Sequence, residues 1–360
     1  MDRLPPDTFR LPVDKLRAGY YSDAYFTSTK TLLEAEGRHP DVVVQIFQKH
    51  DALLGGIDEA LAILRLCAGR EGPGGWEPGW EALRVHALFE GDEIAPYEPV
   101  LQIAGDYGLF CHLETVVLGP MARRTLVMRN VREVVEAARG KPILYFPARH
   151  DHWLVQTGDG WAAHVAGAIG VSTDAQASWW GGRGIGTVPH GLIAAYGGDT
   201  VAAARAFAGH FADDMNVTVL VDWDNDSVAT ALAVADALGD DLWGVRLDTS
   251  EALVDRALEG LEASDGERLS GVNARLVRVL RDALDHAGHE HVRIVVSGGF
   301  DAERIGAFEA AAVPVDAYGV GSSLIRGQND FTADVVRVDG RPCAKVGRGE
   351  RPGDRLPRVR

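Results

Sequence analysis

Two segments of this sequence, SGGFD at 297–301 and GVGSS at 319–323, follow apolar runs with glycine-rich turns. Without a Cβ, backbone N–H groups in such turns can converge on one point at positive φ, and a phosphate is the usual occupant of that nest. Ser297, Gly298, Gly299, Gly319, Gly321 and Ser322 are therefore candidate phosphate-holding residues. An ordinary pair of tight strand-to-helix turns has the same composition, so the reading depends on the two turns meeting in space. Asp222 in VDWDND and Asp248 in RLDTS end two further apolar runs. Carboxylates beside a phosphate serve a divalent metal, its waters or sugar hydroxyls, and Mg2+ is the expected ion because it takes hard oxygens and substrate phosphates. Asp224 and Asp226 either join them or are solvated. Arg246, two residues before Asp248, can face the same interior.

Basic residues concentrate between 123 and 149. Arg129, Arg132 and Arg139 ride an amphipathic helix, whereas Arg123, Arg124 and above all Arg149 are placed for chemistry. Arg149 directly follows the ILYFP run, where a guanidinium can grip a carboxylate or phosphate through two parallel bonds. His190 ends GTVPH; His150 and His152 form an H-x-H pair, but two ligands alone specify no metal site.

The elements that must position these residues follow from the rhythm of the chain. From residue 143 onward short apolar runs alternate with helical stretches: ILYF at 143–146, IGTV at 185–188, VTVLV at 217–221, LWGVRL at 242–247, VRIVVS at 292–297 and VDAYGV at 315–320. Strands separated by helices mean parallel β-structure. All six runs carry polar or glycine residues at their carboxyl ends, which a barrel gathers on one face, whereas a doubly wound sheet gathers only one or two. Upstream, VVVQIFQ at 42–48 and the run at 83–89 read as strands and 55–68 as a helix, together an α/β sandwich. Helical periodicity from 109 to 138 breaks at Gly119-Pro120 and stops at Gly140-Lys141-Pro142.

A chain of 360 residues with 46% hydrophobic content can bury a large core and a smaller second one. Its formal net charge of −16 argues against nucleic-acid or anionic-membrane partners, so an anionic substrate needs a local basic cluster. Cys67, Cys111 and Cys343 are too scattered for a disulfide framework or a cysteine zinc site. No apolar leader and no run of about 18 apolar residues is present, which points to a cytoplasmic protein.

YYSDAYF (20–26), HLETVVLGPMARR (112–124), FPARHDH (146–152), GTVPH (186–190), VDWDND (221–226), GVRLDTS (244–250), SGGFD (297–301) and YGVGSS (318–323), in this order, resemble nicotinate phosphoribosyltransferase, a type II phosphoribosyltransferase. The resemblance runs from about 20 to 325 and implies an irregular TIM-like α/β barrel with an N-terminal α/β sandwich: 1–115 in the sandwich, 330–360 returning to it, and 116–329 in the barrel. It implies transfer of the phosphoribosyl group of phosphoribosyl pyrophosphate (PRPP) to nicotinate with Mg2+, in a homodimer or higher assembly with a shared active site. On this mapping Tyr21 stacks on the pyridine ring from a partner chain, and Arg149 contacts nicotinate or PRPP; Arg123 stands beside it as a substrate-binding candidate from the basic cluster. Thr187 and His190 match the G-T-x-x-H motif, Asp222 and Asp248 sit near ribose and metal, and the two glycine turns hold the 5′-phosphate. His190 matches the histidine phosphorylated when the family consumes ATP, but Gly191 stands where many bacterial members have Glu. The family's F-G-x-R-R is here Phe146 to His150, with one glycine and one arginine fewer.

Quinolinate phosphoribosyltransferase shares the architecture but needs a more basic pocket for a second carboxylate. A phosphate-binding barrel lyase such as an aldolase needs a Schiff-base lysine or a poised acid–base pair, and no lysine follows a barrel strand after Lys141. A non-catalytic descendant has no need of the strand-end aspartates. Replacing Arg149 with Ala is expected to lower substrate use by about two orders of magnitude or more with the fold intact. Steady-state kinetics alongside circular dichroism checks this, and wild-type rates would remove Arg149 from the site.

Overall fold

Where Val, Ile and Leu dominate the second half of the chain, they form short strands buried on both faces, as parallel barrel strands must be: Val217–Leu220 and Ala317–Val320 contain no exposed residue. The structure, a computed structural model, describes residues 2–263 and 268–360. Contacts divide it into two units, Met1–Arg129 with Gly327–Arg360, and Asn130–Arg326. The divisions fall within the helix Glu114–Ala137 and just after Arg326, not at 115 and 329.

In the second unit six parallel strands are ordered Val217–Leu220, Leu242–Leu247, Arg293–Val296, Ala317–Val320, Ile143–Tyr145 and Gly170–Val171. The expected strand at 185–188 is not one. It is an irregular segment that closes the ring: the Ile185 N–H donates to the Val171 carbonyl (2.7 Å), and the Val188 N–H donates to the Thr218 carbonyl (2.8 Å). Glycines at 184 and 186 keep this stretch from continuing as a ladder, so it touches one edge strand with each end. The result is the irregular barrel anticipated from the sequence, closed by a loop in place of a strand. Helices return the chain between strands, and their starts are fixed by side-chain caps: Asp199, Asp226, Asn273 and Asp301 each accept a backbone N–H two or three residues into the following helix. Asp226, a candidate for the metal group, is thus occupied in starting the helix Ser227–Leu238.

The first unit is built on a five-stranded antiparallel sheet ordered Arg341–Pro342, Thr332–Val338, Asp41–Phe47, Leu101–Asp106 and Arg84–Ala87. In the C-terminal stretch Thr332–Val338 pairs along Asp41–Phe47, and the last residues bond to the far edge, with the Val85 N–H on the Arg360 carbonyl (2.9 Å). The helix Ile57–Cys67 lays Ile57, Ala60, Leu61 and Leu64 into the core beside Val44, Ile46, Val85 and Ile103. Its amino end is closed by buried Glu90, whose carboxylate accepts the N–H groups of Gly56 (2.7 Å), Ile57 (3.1 Å) and Asp58 (3.3 Å).

The helix Glu114–Ala137 is continuous through Pro120 where a break was expected. A proline there removes one N–H and crowds the preceding turn, but burial of Val117, Met121, Val127 and Met128 along the same helix outweighs that local cost. The turn at Gly55 and Gly56 lies directly on this helix, with the Gly55 N–H donating to Thr125 Oγ1 (3.0 Å). Gly56 has φ +76°, and a Cβ on it would sit 2.6 Å from the Pro120 carbonyl oxygen. Gly56→Ala should therefore destabilise the protein by roughly 2–4 kcal/mol from overpacking and left-handed strain combined. Urea unfolding measures it; a loss under about 0.5 kcal/mol would show that the turn yields easily.

Candidate active site

At the carboxyl ends of the barrel strands lies a cavity of about 580 Å³, with walls drawn entirely from the second unit. Arg246 organises it. Alternation along Leu242–Leu247 sends Arg246 to the same side as Asp248, two residues on. The guanidinium donates from Nε to Ser297 Oγ (2.7 Å), from one terminal nitrogen to Thr187 Oγ1 (3.4 Å) and from the other to an Asp248 oxygen (3.4 Å). It also lies over the Phe146 ring, 5.2 Å from the centroid. Ser297 Oγ in turn stands 2.8 Å from the other Asp248 oxygen, so two strand ends and the closing loop share one polar network. Burial lowers the Arg246 pKa, with neighbouring Arg149 acting in the same sense, while Asp248 and Asp222 counter it.

Asp222 is set behind this wall. Its side chain is 7% exposed, and Oδ1 lies 3.1 Å from Nε2 of His190, which begins the helix His190–Ala195 and lines the cavity. Burial raises the Asp222 pKa, and Asp248 adds to this while the His190 contact opposes it. Against Asp248, Gly298 and Gly299 both adopt positive φ (+86° and +70°), the backbone the nest requires, and a Cβ on Gly298 would lie 3.2 Å from an Asp248 oxygen. The 319–323 turn faces them, pinned by Ser323 Oγ donating to the Phe300 carbonyl (2.8 Å). Gly319 is needed for room: a Cβ would meet the Phe146 ring at 2.9 Å.

The structure thus brings together Arg149, Thr187, His190, Asp248, Ser297, Gly298, Gly299, Gly319, Gly321 and Ser322 as cavity wall, with Asp222 one contact behind. Tyr21 and Arg123 belong to the first unit. Tyr21 is 44% exposed and meets Tyr20 edge-on, and Arg123 lines a separate hollow with His50, Leu126 and Arg129. Sequence reasoning gave Arg246 only a direction and did not single out Phe146 or Arg326. The i, i+2 spacing to Asp248 was the available signal for Arg246; nothing local marked the other two. Among the described residues no group of three or more His, Cys, Asp or Glu is arranged to hold a metal, and no helix is long and apolar enough to cross a membrane.

A parallel barrel with two glycine turns and a guanidinium–carboxylate network at one mouth defines an anion-binding α/β barrel. A family model described as the N-terminal domain of quinolinate phosphoribosyl transferase matches residues 23–125. The crystal structure of nicotinate-nucleotide pyrophosphorylase from Pyrococcus furiosus superposes with a TM-score of 0.79 at 32% identity, covering 95% of this chain and 81% of that one. Nicotinate phosphoribosyltransferase pncB1 of Mycobacterium tuberculosis is 32% identical over 286 residues, 77% of this chain and 58% of the relative, so the chain spans little more than half that protein's length. Human nicotinic acid phosphoribosyltransferase shares the fold at a TM-score of 0.67 and 20% identity, over 89% of this chain and 75% of that one. The chain belongs to the type II phosphoribosyltransferase family, that of the nicotinate and quinolinate phosphoribosyltransferases.

The raised Asp222 pKa carries a stability consequence with a definite sign. A carboxyl whose folded pKa exceeds its unfolded value favours the fold when protonated and opposes it once pH rises through the folded pKa. Asp222→Asn should therefore raise the melting temperature at pH 7, lose that advantage near pH 3, and lower activity at least about tenfold through the orphaned His190. Thermal melts at the two pH values with parallel kinetics test this; a lower melting temperature at pH 7 would reverse the sign assigned here.

Proposed function

We propose that this protein transfers the 5-phosphoribosyl group of PRPP to nicotinate, giving nicotinate mononucleotide and pyrophosphate in NAD biosynthesis. The observation that carries the proposal is the Arg246–Asp248–Ser297–Thr187 network set directly against the pair of glycine turns in one cavity. In the transfer, the lone pair of the pyridine nitrogen forms the new bond to ribose C1 while the C1–O bond breaks and its electron pair leaves with pyrophosphate. The ring nitrogen of nicotinate is already unprotonated, so no general base is required. Positive charge grows on the ribosyl group as the old bond lengthens, and the Asp248 carboxylate on the cavity wall, with Asp222 behind it, would offset it. Arg149 and Arg246 supply donors for the acid's carboxylate and the departing pyrophosphate, and Phe146 gives a flat apolar face for the ring. Tyr21 would close the other ring face from a second copy of the chain, and Arg123 would meet substrate on the same side, in a homodimer or higher assembly working in the cytoplasm.

Mg2+ would suit Asp248, a hard oxygen donor on the cavity wall, with Asp222 one contact behind it, because an ion that keeps waters and phosphate oxygens needs only one or two carboxylates. When bound it would neutralise charge on pyrophosphate. The His190–Asp222 pair supports an ATP-coupled form: a carboxylate on Nε2 fixes the tautomer that leaves Nδ1 with a lone pair for a phosphoryl group.

Quinolinate is the second reading, favoured by the family model at 23–125 and by three arginines in the cavity wall, Arg149, Arg246 and Arg326. Incubating the pure protein with PRPP, Mg2+ and nicotinate, quinolinate or nicotinamide, with and without ATP, separates the readings. Nicotinate mononucleotide with stoichiometric pyrophosphate from nicotinate alone is expected. CO2 release from quinolinate would establish the second reading, and no mononucleotide from any acceptor would refute both.

A further inference from the structure

Three side chains lie side by side across neighbouring strands of the barrel. Arg246 is in register with Leu220 on one adjoining strand and with Val295 on the other. Registered residues of parallel strands stand about 4.8 Å apart and point to the same face, so the guanidinium at this level is flanked by two aliphatic side chains. Leu220 lines the cavity although it is only 3% exposed, which makes it floor and not rim. Arg149 and Arg326, which also line the cavity, are exposed and serve groups nearer to solvent.

The donors left on Arg246 set what that floor can hold. A guanidinium carries five N–H donors. Three are used, on Ser297 Oγ, Thr187 Oγ1 and an Asp248 oxygen, and one remains on each terminal nitrogen, which matches the two oxygens of a single carboxylate. A second carboxylate on the next ring carbon finds no partner on either side. Toward Ser297 it meets the negative charge of Asp248, whose other oxygen is 2.8 Å from Ser297 Oγ. Toward the opposite strand it meets Leu220, with only the neutral Thr187 hydroxyl beside it. An ionised group stripped of water against an aliphatic side chain is strongly disfavoured.

We propose that Leu220 is a specificity-determining residue, restricting the acceptor to a planar ring acid with one carboxylate and rejecting the dicarboxylic acid quinolinate. This deepens the phosphoribosyl-transfer reading and rests on it for the acceptor's identity as a pyridine acid. The Phe146 ring and Arg246 attract what nicotinate and quinolinate share, while Leu220 acts only on the group that distinguishes them. Selectivity of this kind comes from the unpaired charge of the wrong acid and takes nothing from the binding of the right one.

The test uses nicotinate and quinolinate as probes in titration calorimetry on the full chain, with and without Mg2+ and pyrophosphate. Wild type, Leu220→Gln and Leu220→Met are compared, with thermal melts as a folding control and mononucleotide formation from PRPP followed in parallel. Wild type should prefer nicotinate by about a hundredfold or more. Leu220→Gln, close in volume but bearing an amide donor, should narrow that ratio at least about tenfold through tighter quinolinate binding, whereas Leu220→Met should leave it within about twofold. Leu220→Asn carries the same expectation should the Gln variant not fold. Equal affinities in wild type, failure of both acids to bind, CO2 release from quinolinate, or an unchanged ratio in a folded Gln or Asn variant overturns the proposal. An unchanged ratio with nicotinate mononucleotide still formed leaves the transferase reading standing. The expected ratios in a protein that makes no mononucleotide would keep Leu220 as the selector and sink the transferase reading instead.

Discussion

One partly buried charge sets the terms for the rest of the molecule. Arg246 is drawn into a strand-end cavity where its guanidinium is desolvated, and such a group is tolerable only with carboxylate and hydrogen-bond partners in fixed positions. Those partners, Asp248 apart, come from two other strand ends and the closing loop: Ser297 beyond Arg293–Val296, the Phe146 ring beyond Ile143–Tyr145, and Thr187 on the loop. Only a parallel arrangement closed on itself brings those ends within reach of one side chain. The irregular loop at 185–188 is therefore part of the site as well as part of the barrel, since it joins the two edge strands and carries Thr187 into the network.

The same constraint separates structural from chemical aspartates. Asp226 and Asp301 follow strands just as Asp222 and Asp248 do, yet they cap helices and leave the network to the other two. Asp222 takes a middle position: nearly buried, it faces His190 and influences the cavity through that imidazole. With a net charge of −16, the long-range field opposes anionic ligands, so capture falls to the arginines at the strand ends.

Much of this was legible in the residues. Alternation of β-branched runs with helical stretches gave the parallel architecture, and the polar strand ends marked the face that carries the site. What local pattern misreads is tertiary compensation. Pro120 reads as a helix break, but seven buried apolar side chains on the same helix outweigh one missing hydrogen bond. The run at 185–188 has a strand's composition and bridges two edges without being a strand. Arg246 could be pointed inward by its spacing from Asp248, whereas Arg326 had no local signal, because its place in the cavity wall depends on a turn held by Asn130 nearly two hundred positions away in the sequence. Tyr21 came from resemblance alone and Arg123 from a run of basic residues, and both belong to the first unit, whereas the cavity wall is drawn from the second.

A crystal structure of the protein with nicotinate mononucleotide tests the central claim most directly. The account places the phosphate on the N–H groups around Gly299 and Ser322, and the pyridine ring against Phe146 with its carboxylate on an arginine. Density for the nucleotide in the Arg123 hollow, or an unfilled strand-end cavity at saturating nucleotide, would contradict it.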